Sequence, residues 1–126
     1  MIRSSLVAVT AGLLVACSAT FERPSADADF GTVPVGYELA IRAYFDEVLK
    51  DPDSAIYRIG RPVRAYRNRG LAWGGQVTWR GYAVDFQMNA KNSFGGYVGF
   101  KAYTALFSEG RLVRMIEGED TLLRRM

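Results

Sequence analysis

The side chains that could carry acid–base or nucleophilic chemistry are few in this sequence. Among its 126 residues there is no histidine, and Cys17 is the only cysteine. Ser–His and Cys–His nucleophile pairs and histidine-ligated zinc are therefore excluded. If Cys17 is modified, the chain also lacks a thiol for redox chemistry and cannot form a disulfide. Carboxylate pairs are considered next, because they can act as catalytic groups without an imidazole.

The carboxylates beside Pro52 do not make a calcium loop. Asp51 and Asp53 flank this proline. The EF-hand pattern needs a glycine at its sixth position and a glutamate at its twelfth, where this sequence has Ile56 and Pro62. The stretch is interpreted as a helix stop followed by a turn.

The remaining acidic residues do not form a catalytic pair either. Asp85 is expected to stand alone on the outward face of a strand, whereas a glycosidase needs two carboxylates across a cleft. Glu117, Glu119 and Asp120 crowd a glycine near the C-terminus, where Asp120 is interpreted as the N-cap of a last helical turn. The sequence predicts no catalytic residue, no metal site and no cofactor.

The most distinctive polar stretch is N-A-K-N-S-F-G-G-Y, residues 89–97, which joins two predicted strands. Its candidate ligand-binding residues are Asn89, Lys91, Asn92, Ser93 and Tyr97. The alternative is structural: asparagine and serine side chains would cap backbone groups, and the glycines would adopt positive φ. The structural interpretation is favoured, and ligand binding is kept as the alternative.

The N-terminus has the layout of a secretory signal, with Arg3 ahead of an apolar run too short to span a bilayer. The residues at the end of this run, L-V-A-C at 14–17, resemble the lipobox of bacterial lipoproteins. That resemblance implies cleavage between Ala16 and Cys17, acylation of Cys17, and attachment to a membrane through the acyl chains. Ser18 after the cysteine favours the outer membrane, facing the periplasm.

A second resemblance rests on two motifs, L-K-D-P-D-S-A at residues 49–55 and N-A-K-N-S-F-G-G-Y-V-G at residues 89–99. Together they resemble small, exported, uncharacterised bacterial proteins. The resemblance covers about half of the mature domain and implies a shared fold and export, but no reaction. Such relatives often carry a cysteine in the strand before the second motif. Here that strand has Asp85, so the disulfide that the likeness implies is absent.

The best helix signal covers Tyr37–Asp51. Apolar residues recur there at helical spacing to form one stripe, and residues of alternating charge follow at four-residue steps on the opposite face. Pro52 disfavours helical geometry at the residue before it and ends the helix.

From Ala55 onward the apolar period changes to two, which is typical of strands. Strands are predicted at residues 56–59, 63–67, 76–80, 82–88, 97–107 and 112–117, with one helical turn at 121–126. In the clearest of them, alternation places Tyr82, Val84, Phe86 and Met88 inward, with Ala83, Asp85 and Gln87 outward. The fold class is α+β: one amphipathic helix packed on a four- to five-stranded antiparallel sheet whose other face is polar.

The predicted organisation is a signal peptide at 1–16, the lipidated cysteine with a flexible tether at 17–34, and a small domain at 35–126. Phe21 or Phe30 in the tether is expected to dock onto the domain.

Five arginines with interleaved tyrosines could contact phosphates or an acidic glycan. Their spacing, however, distributes them over both faces of a strand, which favours the alternative that they are solvated charges at a sheet edge. They are Arg58, Arg61, Arg64, Arg67 and Arg69.

The overall charge is modest. Loss of the signal peptide removes Arg3 and lowers the formal charge from +3 to +2, so a nucleic-acid partner is not expected. We therefore predict a non-enzymatic, membrane-anchored lipoprotein of the bacterial cell envelope that presents its domain to a protein or cell-wall partner. The alternative is a ligand-binding or inhibitory envelope domain that uses the Asn89–Tyr97 loop against a glycan or a lytic enzyme.

Overall fold

The computed structural model describes residues 20–126. The predicted signal peptide, the lipobox and Cys17 lie outside the described residues. One helix, α1 at Tyr37–Val48, precedes a sheet of six strands. The strands are β1 Ile56–Ile59, β2 Val63–Asn68, β3 Val77–Asn89, β4 Lys101–Ser108, β5 Arg111–Glu117 and β6 Leu123–Arg125.

All strand pairs are antiparallel, in the order β5-β4-β3-β2-β6, and β1 pairs with β3 as well. The long β3 is the centre of the sheet. One of its edges pairs with β4, and the other pairs first with β2 and then, beyond a bend at residues 60–62, with β1. This confirms the α+β class, with more strands than the four or five expected.

Two differences from the predicted strands concern the middle of the sheet and the C-terminus. The predicted strands at 76–80 and 82–88 are parts of one continuous strand, β3. Gly81 lies within this strand, and its lack of a side chain leaves room for the Trp79 ring. The predicted terminal helical turn is wrong. Leu123–Arg125 pairs with β2 instead, and Asp120 caps a turn before this strand by accepting a 2.9 Å hydrogen bond from the Leu122 N–H.

The main core lies between α1 and one face of the sheet. Ile41 and Phe45 are the buried residues of the helix, and the Phe45 ring centre lies 5.9 Å from that of Phe86 and 5.1 Å from that of Tyr103. The predicted inward set is confirmed, since all four of its side chains are buried in this core. These residues are Tyr82, Val84, Phe86 and Met88.

The helix is shorter than predicted, and its apolar stripe is only partly buried. It ends at Val48, not Asp51, because Leu49 already has an extended backbone with ψ 145° and a separate 3-10 turn begins at Pro52. Tyr44 and Val48 belong to the predicted stripe but are exposed.

The opposite sheet face, named here the open face, holds a smaller apolar cluster and several charged residues. Ala83, expected to point to solvent, is fully buried there because Leu123 of β6 packs in the same cluster. The short terminal strand therefore covers part of a face that the sequence predicts to be polar.

Residues 20–34, assigned to the flexible tether by the sequence, lie against the domain. Phe30 is only 4% exposed and belongs to the main core, so the expected docking of one tether phenylalanine is confirmed. The buried Asn68 side chain donates a 2.8 Å hydrogen bond to the Glu22 carbonyl oxygen, and the Thr32 hydroxyl donates one of 3.1 Å to the Glu109 carboxylate. The folded unit thus includes these residues, which are called the N-terminal segment below.

Candidate functional site

The segment Lys91–Phe100, named here the display loop, joins the end of β3 to the start of β4. Every residue in it is exposed. A single antiparallel bridge between Lys91 and Tyr97 closes its tip, and Gly95 takes φ +79° there, a conformation that favours glycine. The predicted strand at 97–107 thus begins only at Lys101, because its first residues form one arm of the loop.

The two asparagines of the motif hold the backbone of this loop. The Asn92 Oδ1 accepts hydrogen bonds from the Phe94 N–H at 2.9 Å and the Gly96 N–H at 3.2 Å. The Asn89 Oδ1 accepts one of 3.0 Å from the Gly99 N–H. These amide oxygens make the backbone contacts that the structural interpretation expects.

The base of the loop is fastened to the 3-10 turn at Pro52–Ser54. The Ser54 Oγ accepts a 3.0 Å hydrogen bond from the Lys91 N–H, and the Tyr97 hydroxyl donates one of 3.0 Å to the Ser54 carbonyl oxygen. Lys50 reaches the Ser93 hydroxyl at 3.4 Å. The two motifs that carry the resemblance therefore meet in space.

The arrangement leaves one large apolar side chain at the tip. Phe94 is 97% exposed, although its own backbone N–H is bound by Asn92. Fully burying such a side chain is worth about 1.5–3 kcal/mol. An aromatic ring held in water on an ordered turn has the chemistry of an interface anchor, because little conformational entropy is left to lose on binding.

The structure gives the five candidate binding residues different contacts. The two asparagines and Tyr97 make the internal bonds described above, and the Lys91 ammonium lies 5.6 Å from the Tyr97 ring centre. Ser93 is exposed beside Lys50. Ligand binding by any of them stays a prediction. Phe94, which lies between Ser93 and Tyr97, is not among the residues that the sequence predicts to bind.

A second feature missed from the sequence is a groove of about 480 Å³ on the open face. Asp85 lines it and is not alone. Arg125 donates to both carboxylate oxygens, at 2.7 Å and 2.6 Å, and the Thr104 hydroxyl donates to one of them at 2.8 Å. Asp85 lies on the outward face of its strand as predicted, but the sequence does not reveal its partner Arg125, which β6 places on the same face.

The contacts of Asp85 set its protonation. Burial alone would raise the pKa of its carboxyl, but hydrogen bonds from Arg125 and Thr104, with the arginine charge, outweigh burial and lower the pKa below its usual value. A carboxylate with a lowered pKa is a poor proton acceptor at neutral pH. The group is well suited to joining β6 to the sheet.

The arginine cluster divides among separate contacts, as expected from its spacing. The Arg58 guanidinium lies 3.8 Å from the centre of the Phe100 ring, and Arg64 lies over Phe30 in the main core. Arg67 forms a 2.8 Å ion pair with Asp120 on the open face. These three arginines do not build one anion-binding surface.

Within residues 20–126, no helix has the length and apolar character needed to cross a membrane. In the same part of the chain, acidic and cysteine side chains do not gather in groups of three or more that could hold a metal ion. Comparisons with protein-family models, with curated proteins and with solved structures give no match for this chain.

Proposed function

We propose that this protein is a non-enzymatic lipoprotein of the bacterial cell envelope that presents the display loop to a protein partner. The lipobox resemblance at Cys17 supports the anchor, and the resemblance to small exported proteins supports the location. The observation that carries the binding function is Phe94, an almost fully exposed aromatic ring on a turn held by the Asn92 side chain.

The ordering of the loop supports a protein partner over a glycan. Sugar hydroxyls are bound by planar amide and carboxylate groups, but the Asn89 and Asn92 oxygens already accept backbone hydrogen bonds. What the loop offers outward is the Phe94 ring, with Val98 also more than half exposed. A rigid aromatic projection fits a pocket or cleft on another protein.

The position of the loop also supports presentation away from the anchor. Phe94 follows the C-terminal end of β3, whereas Thr20, the first described residue, lies beside the loop that precedes the N-terminal end of β3. Thirteen residues of strand span about 40 Å. A partner bound to Phe94 would therefore meet the domain at the end remote from the membrane.

The open-face groove supports a non-enzymatic role. Two carboxylates that line it have shifted pKa values, Asp85 and Asp120. Burial alone would raise each pKa, but hydrogen bonds from Arg125 and Thr104 to Asp85, and from Arg67 to Asp120, lower it, away from neutrality. A catalytic acid or base needs the opposite shift, toward the working pH. Loss of an activity in Asp85→Asn, with the fold intact, would contradict the non-enzymatic assignment.

The anchor is tested by labelling growing cells with a radioactive fatty acid. The natural chain is expected to take up label, and Cys17→Ser is expected to take up none. An unlabelled natural chain would contradict the anchor.

The binding function is tested by cross-linking and capture from intact cells. Phe94→Ser is expected to lose the specific partner, while Val35→Ser is the matched control because Val35 is 94% exposed outside the loop. Asn92→Ala should weaken capture because it frees the turn, and Asn92→Asp should retain it because the acceptor oxygen is kept. Equal capture by Phe94→Ser and Val35→Ser would contradict the proposal.

A further inference from the structure

A second group of exposed apolar side chains lies on the loop and the N-terminal segment at the end of β3 opposite to Phe94. It consists of Phe21, Leu71 and Trp73 and is named here the anchor-side patch. Trp73 is 74% exposed, Leu71 40% and Phe21 37%. Leu71 and Trp73 belong to a 3-10 turn in the β2–β3 loop, which is closed by a 2.9 Å hydrogen bond from the Trp73 N–H to the Gly70 carbonyl oxygen.

The N-terminal segment passes directly beside this loop. The Glu22 N–H donates a 2.9 Å hydrogen bond to the Gly75 carbonyl oxygen. A Cβ added at Gly75 would lie 2.7 Å from the Thr20 carbonyl oxygen and 3.3 Å from Leu71 Cδ2, so the backbone at residue 20 and the patch meet at one point. Cys17 precedes Thr20 by three residues, which reach at most about 11 Å. The proposed acyl anchor is therefore held close to the patch.

Basic side chains flank the same surface. The Arg124 guanidinium carbon lies 5.3 Å from the centre of the Phe21 ring. Arg23 follows Glu22 in the N-terminal segment, Arg69 is the first residue of the β2–β3 loop, and both are exposed. Three arginines thus lie on the segments that carry or flank the patch, together with the acidic Glu22. Exposed tryptophan and other apolar side chains with an excess of arginine match an anionic membrane–water interface.

We propose that the anchor-side patch rests in the interfacial region of an anionic bilayer, with Trp73 at the level of the headgroups. The inference rests on the proposed acyl anchor. A small patch binds lipid weakly alone, but an anchor within a few residues keeps it at a high local concentration near the bilayer. In this orientation β3 points away from the bilayer, and Phe94 lies at the end of the domain that is farthest from the lipid.

The position of Trp73 can be measured by fluorescence. The chain has two tryptophans, so Trp79→Phe leaves Trp73 as the only one. The natively acylated Trp79→Phe chain is reconstituted into phosphatidylcholine vesicles with and without phosphatidylglycerol, using lipids brominated on the acyl chains. Trp73 emission is expected to shift to shorter wavelength and to be quenched, and both effects should be stronger in the anionic vesicles.

The matched control places a tryptophan at the other end of the domain. In Trp73→Phe/Trp79→Phe/Phe94→Trp the single tryptophan occupies the loop tip, where 97% exposure leaves room for the larger ring. Its emission is expected to stay unquenched on the same vesicles. Vesicle-bound protein in which Trp73 is unquenched, or in which only the tryptophan at position 94 is quenched, would overturn the inference.

Failure of the anchor is recognised separately, by mass spectrometry of the purified chain. If Cys17 carries no acyl group, the proposed function fails, and the patch is then tested without it at millimolar lipid. Salt-sensitive quenching of Trp73 by anionic vesicles, reduced about fivefold in apparent affinity by Arg69→Gln, would support the patch. No quenching under those conditions would overturn the inference.

Discussion

Ser54 and Tyr97 are 43 residues apart in the chain, and the Tyr97 hydroxyl donates a 3.0 Å hydrogen bond to the Ser54 carbonyl oxygen. The Ser54 side chain donates to the Asp51 carbonyl oxygen at 2.7 Å and accepts from the Lys91 N–H at 3.0 Å. One serine therefore closes its own 3-10 turn and fastens the display loop. This gives a physical reason for the two motifs of the resemblance to occur together, because each stabilises the other.

Asn92→Ala is expected to loosen the tip of the display loop. It removes the acceptor of two backbone hydrogen bonds, each worth about 0.5–1.5 kcal/mol net. Amide hydrogen exchange at Phe94 and Gly96 should become faster, while exchange in the central strand β3 should change little. Asn92→Asp keeps the acceptor and serves as the control. Unchanged exchange at both amides in Asn92→Ala would show that the side chain does not order the loop.

Asp85→Asn is expected to reduce the dependence of stability on pH in acid. The folded-state pKa of Asp85 is lowered, whereas an unfolded aspartate titrates near about 3.9. The stabilisation from its contacts is therefore fully present above that pH and is lost as the pH falls through the folded-state pKa.

Denaturant unfolding of the natural chain and of Asp85→Asn at several pH values checks this. Solvent screening of the half-exposed pair limits the difference to about 1 kcal/mol or less at neutral pH, and it should shrink toward pH 2. Arg125→Gln should lose the same pH-dependent part of the free energy of unfolding. A stability difference independent of pH would contradict the assignment of the ion pair.

Asn68→Ala is expected to release the N-terminal segment. The buried amide donates to the Glu22 carbonyl oxygen at 2.8 Å and to the Gly75 carbonyl oxygen at 2.9 Å, and its loss should destabilise the chain by about 1–3 kcal/mol. Endoproteinase Glu-C, which cleaves after glutamate, should cut the bond after Glu22 faster than in the natural chain. Thr32→Val, which loses only an exposed hydrogen bond to Glu109, is the milder control. If the two variants are cleaved at equal rates, Asn68 does not hold the segment.

Gly81→Ala is expected to destabilise the sheet by about 1–3 kcal/mol. A Cβ at this position would overlap both the Trp79 ring and the carbonyl oxygen of Phe107 on the neighbouring strand. Trp79→Ala removes only the first of these contacts, so it should not rescue Gly81→Ala. Thermal unfolding of the single and double variants gives the comparison, and full rescue would contradict a backbone clash.

Local patterns predicted the helix and most strands because their signals lie within short windows. The period of two in residues 82–88 correctly identified the four side chains that share the main core with Phe45 and Ile41 of the helix. The helix end was placed three residues too late because the pattern continues through Leu49, while the backbone becomes extended there. Side-chain periodicity does not report that change.

The features that were missed depend on contacts between distant residues. A three-residue strand such as β6 has almost no period to detect, and its position is set by pairing with β2. The partner of Asp85 follows from that pairing, since Arg125 lies 40 residues further along the chain. Phe94 was passed over because its near-complete exposure is a property of the folded loop and not of the residue type.

The most direct test of the proposed function is photo-cross-linking from position 94 in living cells. A photoreactive phenylalanine analogue replaces Phe94 in one strain and Val35 in another, and the acylated chain is recovered after irradiation. We expect one discrete cross-linked protein from position 94 and none from position 35, with the position-94 product reduced when Asn92→Ala is added. Cross-links to lipid alone from position 94, or the same products from both positions, would contradict a partner-binding loop directed away from the membrane.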